Sequence, residues 1–140
     1  MSNYAYVATR ARSRRSRLLP AEAYNQLLNL EHAEIARYIQ DLEYRREIDR
    51  YGSTLSGADL IETALVDNLA KDVGDFLSFS KGKLRDILHV YAEKYRVENL
   101  KNIVRGINQN MDKQNLERLV CPINDSDKEL YSKLYDSKTV

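Results

Sequence analysis

The densest chemistry in this 140-residue sequence is a run of arginines. Arg10, Arg12, Arg14, Arg15 and Arg17 follow one another closely with no acid among them. Guanidinium groups at this density suit the phosphates of nucleic acid, an anionic lipid surface, or acidic residues on a protein partner. A merely solvated face has the same composition, so charge alone does not choose among these. No helix-turn-helix turn, zinc finger or aromatic RNA-binding motif accompanies the run, and a small basic helical nucleic-acid-binding module therefore rests on the arginines only.

Other reactive residue types are sparse and badly spaced. His32 follows Glu31 and stands two residues before Glu34, but the second histidine of a helical HExxH zinc motif is missing, and His89 and Cys121 lie far along the chain. His32 is expected to be a partly exposed residue between helices, and His89 to be exposed or at a helix seam. Ser80-Lys81-Gly82-Lys83 has one glycine and no preceding strand, which describes a helix–helix linker with solvated lysines better than a phosphate loop. Nucleophilic catalysis by Cys121 needs a base to lower its pKa, and none is near in sequence, so the reading is a small buried hydrophobe before Pro122. These residues point to no catalytic centre, no cofactor site and no metal site. A lone cysteine also excludes an internal disulfide and fits a reducing cytosolic setting.

The elements that must position the arginines are helical. Only five glycines and two prolines punctuate the chain, too few for the turns of an all-β fold, and no segment alternates apolar and polar residues. Tyr4, Val7, Ala8, Ala11 and Leu18 recur at helical spacing, with Arg10, Arg14 and Arg17 on another face of the same helix. Pro20 suits the first turn of the next helix. Between Ala21 and Tyr44 the apolar positions fit two short helices broken near Leu30 to His32, and GSTLSG at 52–57 is the clearest loop. Ser56 and Asp59 resemble a capping box, followed by a stripe of Ile61, Leu65, Leu69, Val73 and Phe76, with Leu60, Ala64, Ala70 and Leu77 widening it. That helix should fray between Ser78 and Gly82.

From Gly82 a further helix presents Leu84, Ile87, Leu88, Tyr91 and Tyr95. The apolar phase then slips and restarts at Val97, Leu100, Ile103, Val104 and Ile107, which predicts a break at Arg96 to Glu98. A polar linker precedes a short helix around Leu116, Leu119 and Val120 that Pro122 closes, and Ser126 with Glu129 suggests another capping box. The closing DSKTV reads as a helix just starting, as in a fragment of a longer chain. No apolar run is long enough to span a bilayer and no hydrophobic signal core follows Met1, so any membrane association is expected to be peripheral, through partners. The fold class is all-α, a bundle of short and medium helices.

In order and spacing, these segments resemble the C subunit of the archaeal and bacterial A/V-type ATPases, a relative of the d subunit of eukaryotic V-ATPases. YAYVATRARSRRSRLLP is similar to the opening of that family, and YNQLLNLEHAEIARYIQDLEY to its second and third segments. LSGADLIETALVDNLAKDVGDFLSFSKGKLRDILHVYAEKYRVENLKNIVRGI resembles its two longer helices, ending on the recurrent DxxNIKxxLRxK element. LVCPIN stands where the family has a short helix and a proline turn. Two positions depart from the pattern: Arg96 replaces an acid and Ile107 replaces a basic residue.

Family members are longer, built of three similar helical units around a pseudo-threefold axis, so the resemblance implies that residues 1–140 are a single helical unit, the first of the three. It further implies a funnel-shaped, non-catalytic subunit on the cytoplasmic face of the membrane rotor ring. Such a subunit receives the central stalk and passes torque between stalk and ring, for proton or sodium transport coupled to ATP synthesis or hydrolysis. The partners implied are central-stalk subunits and the rotor-ring proteolipid, with no cofactor. Arg10, Arg14 and Arg17 are the residues expected to meet an acidic partner surface.

Overall fold

The structure is a computed structural model that describes residues 3–136. Eight helices and no strand occur among the described residues. They are α1 (Tyr4–Arg15), α2 (Ala21–Leu27), α3 (His32–Gln40), α4 (Arg45–Tyr51), α5 (Gly57–Phe79), α6 (Lys83–Asn108), α7 (Lys113–Arg118) and α8 (Asp125–Asp136). Of the DSKTV segment only Asp136 is described, within α8, and residues 137–140 lie outside the described residues.

The chain divides into two compact units, Tyr4–Leu69 and a second made of Asn3 with the residues from Ala70 onward. In the first unit Pro20 stands immediately before α2 in extended backbone, φ −68°, where it has no helical N–H to lose. The break foreseen near Leu30 to His32 is present: α2 ends at Leu27 and α3 begins at His32. Its cause is local, since the backbone N–H of Glu31 donates to Glu34 Oε2 at 2.9 Å. That bond satisfies an amide the first helical turn leaves open. The Glu31–His32–Glu34 cluster is thus a helix start, with His32 exposed as the first residue of α3.

Helix α4 was not anticipated. Its sequence RREIDRY has one strong apolar residue, Ile48, and that residue is buried. Ile48 joins Ala36 and Ile39 of α3 and Leu60 and Ala64 of α5 in a core flanked by Tyr38, Tyr44, Tyr51, Leu55 and Ile61. Each large aliphatic side chain buried there contributes about 1.5–3 kcal/mol before entropy is charged against it. Along α5 the buried residues of this unit are Leu60 and Ala64, whereas Leu65 and Leu69 are exposed, so the inward face is turned from the expected stripe toward its flank.

The second unit is organised on α6. No break occurs at Arg96 to Glu98; the helix is continuous for 26 residues. The apparent phase slip arose from reading only apolar residues. The buried stripe runs through Ala92, Asn99, Ile103 and Gly106, and a polar residue, Asn99, carries it across the gap. Helices α7 and α8 both pack on α6. Leu116 of α7 is buried against Gly106, and Tyr131 of α8 is among the most deeply buried side chains.

The ends of these helices are fixed by side chains. At the α5–α6 junction, Asn3 Nδ2 donates to the Phe79 carbonyl at 2.8 Å and Asn3 Oδ1 accepts from Lys81 N at 2.9 Å. Gly82 holds φ +58° just before α6, a conformation that disfavours any residue with a Cβ. Asp112 caps α7 by accepting from Asn115 N at 2.8 Å. The start of α8 differs from the expected Ser126 box. Asn124 Oδ1 accepts from Asp127 N at 2.8 Å, so the cap lies two residues earlier and the helix begins at Asp125.

Candidate functional site

Helix α1 ends at Arg15, and this decides how the arginines are arranged. Arg12, Arg14 and Arg15 fall in its last turn, where the carbonyl end of the helix dipole favours cations. Leu18 was expected within the helix, but it lies beyond it and is exposed. Arg17 also lies beyond the helix, in a turn held by Arg17 N donating to the Arg14 carbonyl at 3.0 Å. The three arginines expected on one helical face are therefore two helical residues and one turn residue.

Their side chains sit in different settings. Arg10 stacks its guanidinium 5.1 Å from the centre of the Tyr6 ring, a cation–π contact on an exposed face. Arg14 is half-buried. Arg17 Nη1 lies 3.3 and 3.2 Å from the two carboxylate oxygens of Glu43. Both members of that pair are half-exposed to solvent, so it is worth only about 0–1 kcal/mol and can exchange for a better partner. Tyr4 and Tyr6 are also exposed, which mixes aromatic surface into the basic face of α1. Among the described residues no three His, Cys, Asp or Glu side chains are placed to hold a metal ion.

The second polar constellation was not foreseen. A cleft of about 250 Å³ in the α6–α8 unit is lined by His89, Glu93, Arg96 and Asp127 among others. Arg96 Nε lies 3.3 Å from Asp127 Oδ1 and its Nη1 lies 3.4 Å from Glu93 Oε1. His89 Nδ1 is 4.0 Å from the same Glu93 oxygen, and His89 itself is exposed as expected. The Asp127 side chain is only 6% exposed, so the guanidinium beside it takes the place that water holds around a surface carboxylate. Chemically this is a latch that pins α8 to α6. Arg96, noted above as a departure from the family's acid, finds its counter-charge 31 positions later, a distance no local motif reports.

Cys121 is half-buried rather than buried, and its backbone is gripped by Asn99. Asn99 Oδ1 accepts from Cys121 N at 3.1 Å, and Asn99 Nδ2 donates to the Cys121 carbonyl at 2.8 Å and to Tyr131 Oη at 3.3 Å. Asn99 is the asparagine of the NIK-type element in RVENLKNIVRGI, and this grip on the proline turn is its physical role here.

Comparison with known proteins decides the family. The family model described as ATP synthase (C/AC39) subunit matches residues 7–140. The chain belongs to the ATP synthase (C/AC39) subunit family. Among its relatives, the C subunit of the A-type ATP synthase of Haloferax volcanii is 38% identical over 136 residues, 97% of this chain and 39% of that protein. Its counterpart in Archaeoglobus fulgidus is 34% identical over 131 residues, covering 94% of this chain and 38% of the relative. That of Methanosarcina mazei is 41% identical over 105 residues, covering 75% and 29%. The chain thus spans well under half the length of these C/AC39 relatives. No solved structure matches it significantly. No described helix is long and apolar enough to cross a membrane.

Proposed function

We propose that this chain acts as part of a non-catalytic coupling subunit of an A-type rotary ATP synthase, linking the central stalk to the membrane rotor ring. The observation that carries the proposal is the family match, collinear over residues 7–140, with relatives that are named as the C subunit of A-type ATP synthases. In this reading residues 1–140 are one helical unit of the subunit, peripheral to the cytoplasmic face of the membrane and held there by stalk subunits and the ring proteolipid. Ions, protons or sodium, are moved by the complex and not by this chain. A torque-bearing part needs stiff helices and complementary surfaces rather than a reaction centre. The 23- and 26-residue helices α5 and α6 agree with such a role.

Within this proposal Arg10, Arg14 and Arg17 meet an acidic partner surface. Arg14 shares the helix end with Arg12 and Arg15, and the weak Arg17–Glu43 pair is replaceable. The test is affinity capture of the tagged native protein from solubilised host membranes, with mass-spectrometric identification of what is recovered. Stalk subunits, the ring proteolipid and nucleotide-binding subunits are expected, with Arg14→Glu lowering recovery more at low salt than at high salt. Recovery of nucleic acid or unrelated soluble proteins, without any ATPase subunit, would overturn the coupling role. Undiminished recovery with Arg14→Glu at every ionic strength would overturn the arginine contact alone.

A further inference from the structure

Helix α6 carries a second stripe that the fold leaves in solvent. Ile87, Val90, Tyr91, Val97 and Val104 are all exposed, Val90 to 75% and Ile87 to 61%. With Lys94 and Lys101, also exposed, they recur at three- and four-residue steps from 87 to 104. That is one continuous seam about 26 Å long at the rise of an α-helix. It is distinct from the buried face of Ala92, Asn99, Ile103 and Gly106.

The residue types make this seam informative. Val90, Val97 and Val104 repeat every seven residues, and β-branched side chains lower helix propensity. On an outward helical face, where packing does not decide the choice, charged straight-chain residues stabilise better. Within this chain the three valines remain 43–75% exposed, whereas a facing helix would take them as knobs.

We propose that this seam is a docking surface for an amphipathic helix of a protein partner that sets acidic residues opposite Lys94 and Lys101. The two lysines lie within the seam, with Arg105 beside Val104 at its end. Lys101 pairs with the surface carboxylate of Glu98, 2.9 Å away on the preceding turn, and a pair so exposed exchanges readily. The same lysines disfavour a second copy of this chain, because pairing two such seams in either direction brings Lys94 and Lys101 of one within about a turn of those of the other. A lipid surface fits less well, since the seam has no Phe, Trp or Leu and carries an acid, Glu98, between Lys94 and Lys101, with Asp86 at its edge. Anchors at i, i+3, i+4 and i+7 with charge on the rim are what helix-on-helix recognition requires.

The test uses two synthetic helical peptides with one leucine seam, flanked by glutamates in the first and lysines in the second. Their binding to this chain is read by fluorescence anisotropy. The glutamate peptide is expected to bind about ten-fold more tightly at low salt, as two rim ion pairs allow. Added salt should narrow the margin. The double variant Lys94→Glu/Lys101→Glu should invert the order, and Val97→Asp should weaken both peptides while leaving the helical circular dichroism unchanged. Equal binding of the two peptides, or an order the double variant leaves unaltered, would overturn the proposal. So would a dimer in sedimentation that Val97→Asp dissolves, or retention on anionic phospholipid vesicles that the same variant abolishes.

Discussion

The carboxamide of Asn99 satisfies the N–H and the C=O of Cys121 together and still reaches the Tyr131 hydroxyl. Asn99 itself is 6% exposed and Tyr131 1%, so water is poorly placed to replace those bonds. Removing the amide leaves three polar groups short of a partner, and such groups cost more to abandon than a bond gains when it forms. Asn99→Ala is therefore expected to lower stability by about 2–3 kcal/mol, read from the urea midpoint. An unchanged midpoint would mean that the proline turn holds itself. At this scale the sequence was legible where chemistry is local. The break between α2 and α3 near Leu30 to His32 is an example. It was silent on Arg96 with Asp127 and on Asn99 with Cys121, because those pairs are joined only by the packing of α7 and α8 on α6.

Among the elements, α5 and α6 show where periodicity succeeds and where it misleads. Both were recognised as long helices, because apolar residues recur over many turns and few breakers intervene. Their inward faces were read only in part. Small residues, Ala64, Ala70, Ala92 and Gly106, are buried beside Leu60 and Ile103, whereas larger ones such as Leu65, Leu69, Ile87 and Tyr91 face solvent. A close approach of backbones selects small side chains, and hydrophobicity alone does not report it. Gly74 is a direct case, since a Cβ built there would lie 2.8 Å from the Ile123 carbonyl oxygen. In an isolated helix Gly→Ala gains about 1 kcal/mol. Here the obstacle is backbone of the turn that Asn99 also grips, so Gly74→Ala is expected to cost about 1–3 kcal/mol net. A thermal melt decides it: a rise in Tm would show that the turn yields easily and that the contact with α5 is loose.

Across the whole molecule the formal charges nearly cancel, at +1, and the chain carries ten tyrosines. Its steep response to pH is accordingly expected on the alkaline side. Tyr95 is pushed up to about 12, chiefly by the hydrogen bond of its hydroxyl with Tyr91 and then by burial. Tyr135 is pushed up to about 12 by burial first and the charge of Glu117 second. Burial also raises Tyr51 and Tyr131. An unfolded tyrosine titrates near 10, so between about pH 10 and pH 12 the folded chain holds protons that the unfolded chain has lost. The associated stability is fully present below that window and falls away as pH rises through it. Lysines lose their charge over a similar range, and Lys113 is raised by its bond to Asp136, but this background is common to any tyrosine variant. The urea midpoint of the native chain should fall from pH 10 upward, and that of Tyr95→Phe/Tyr135→Phe should fall less steeply, since phenylalanine has no proton to release. Parallel slopes for the two chains would place the alkaline transition elsewhere, on the lysines and the helix-end carboxylates they pair with.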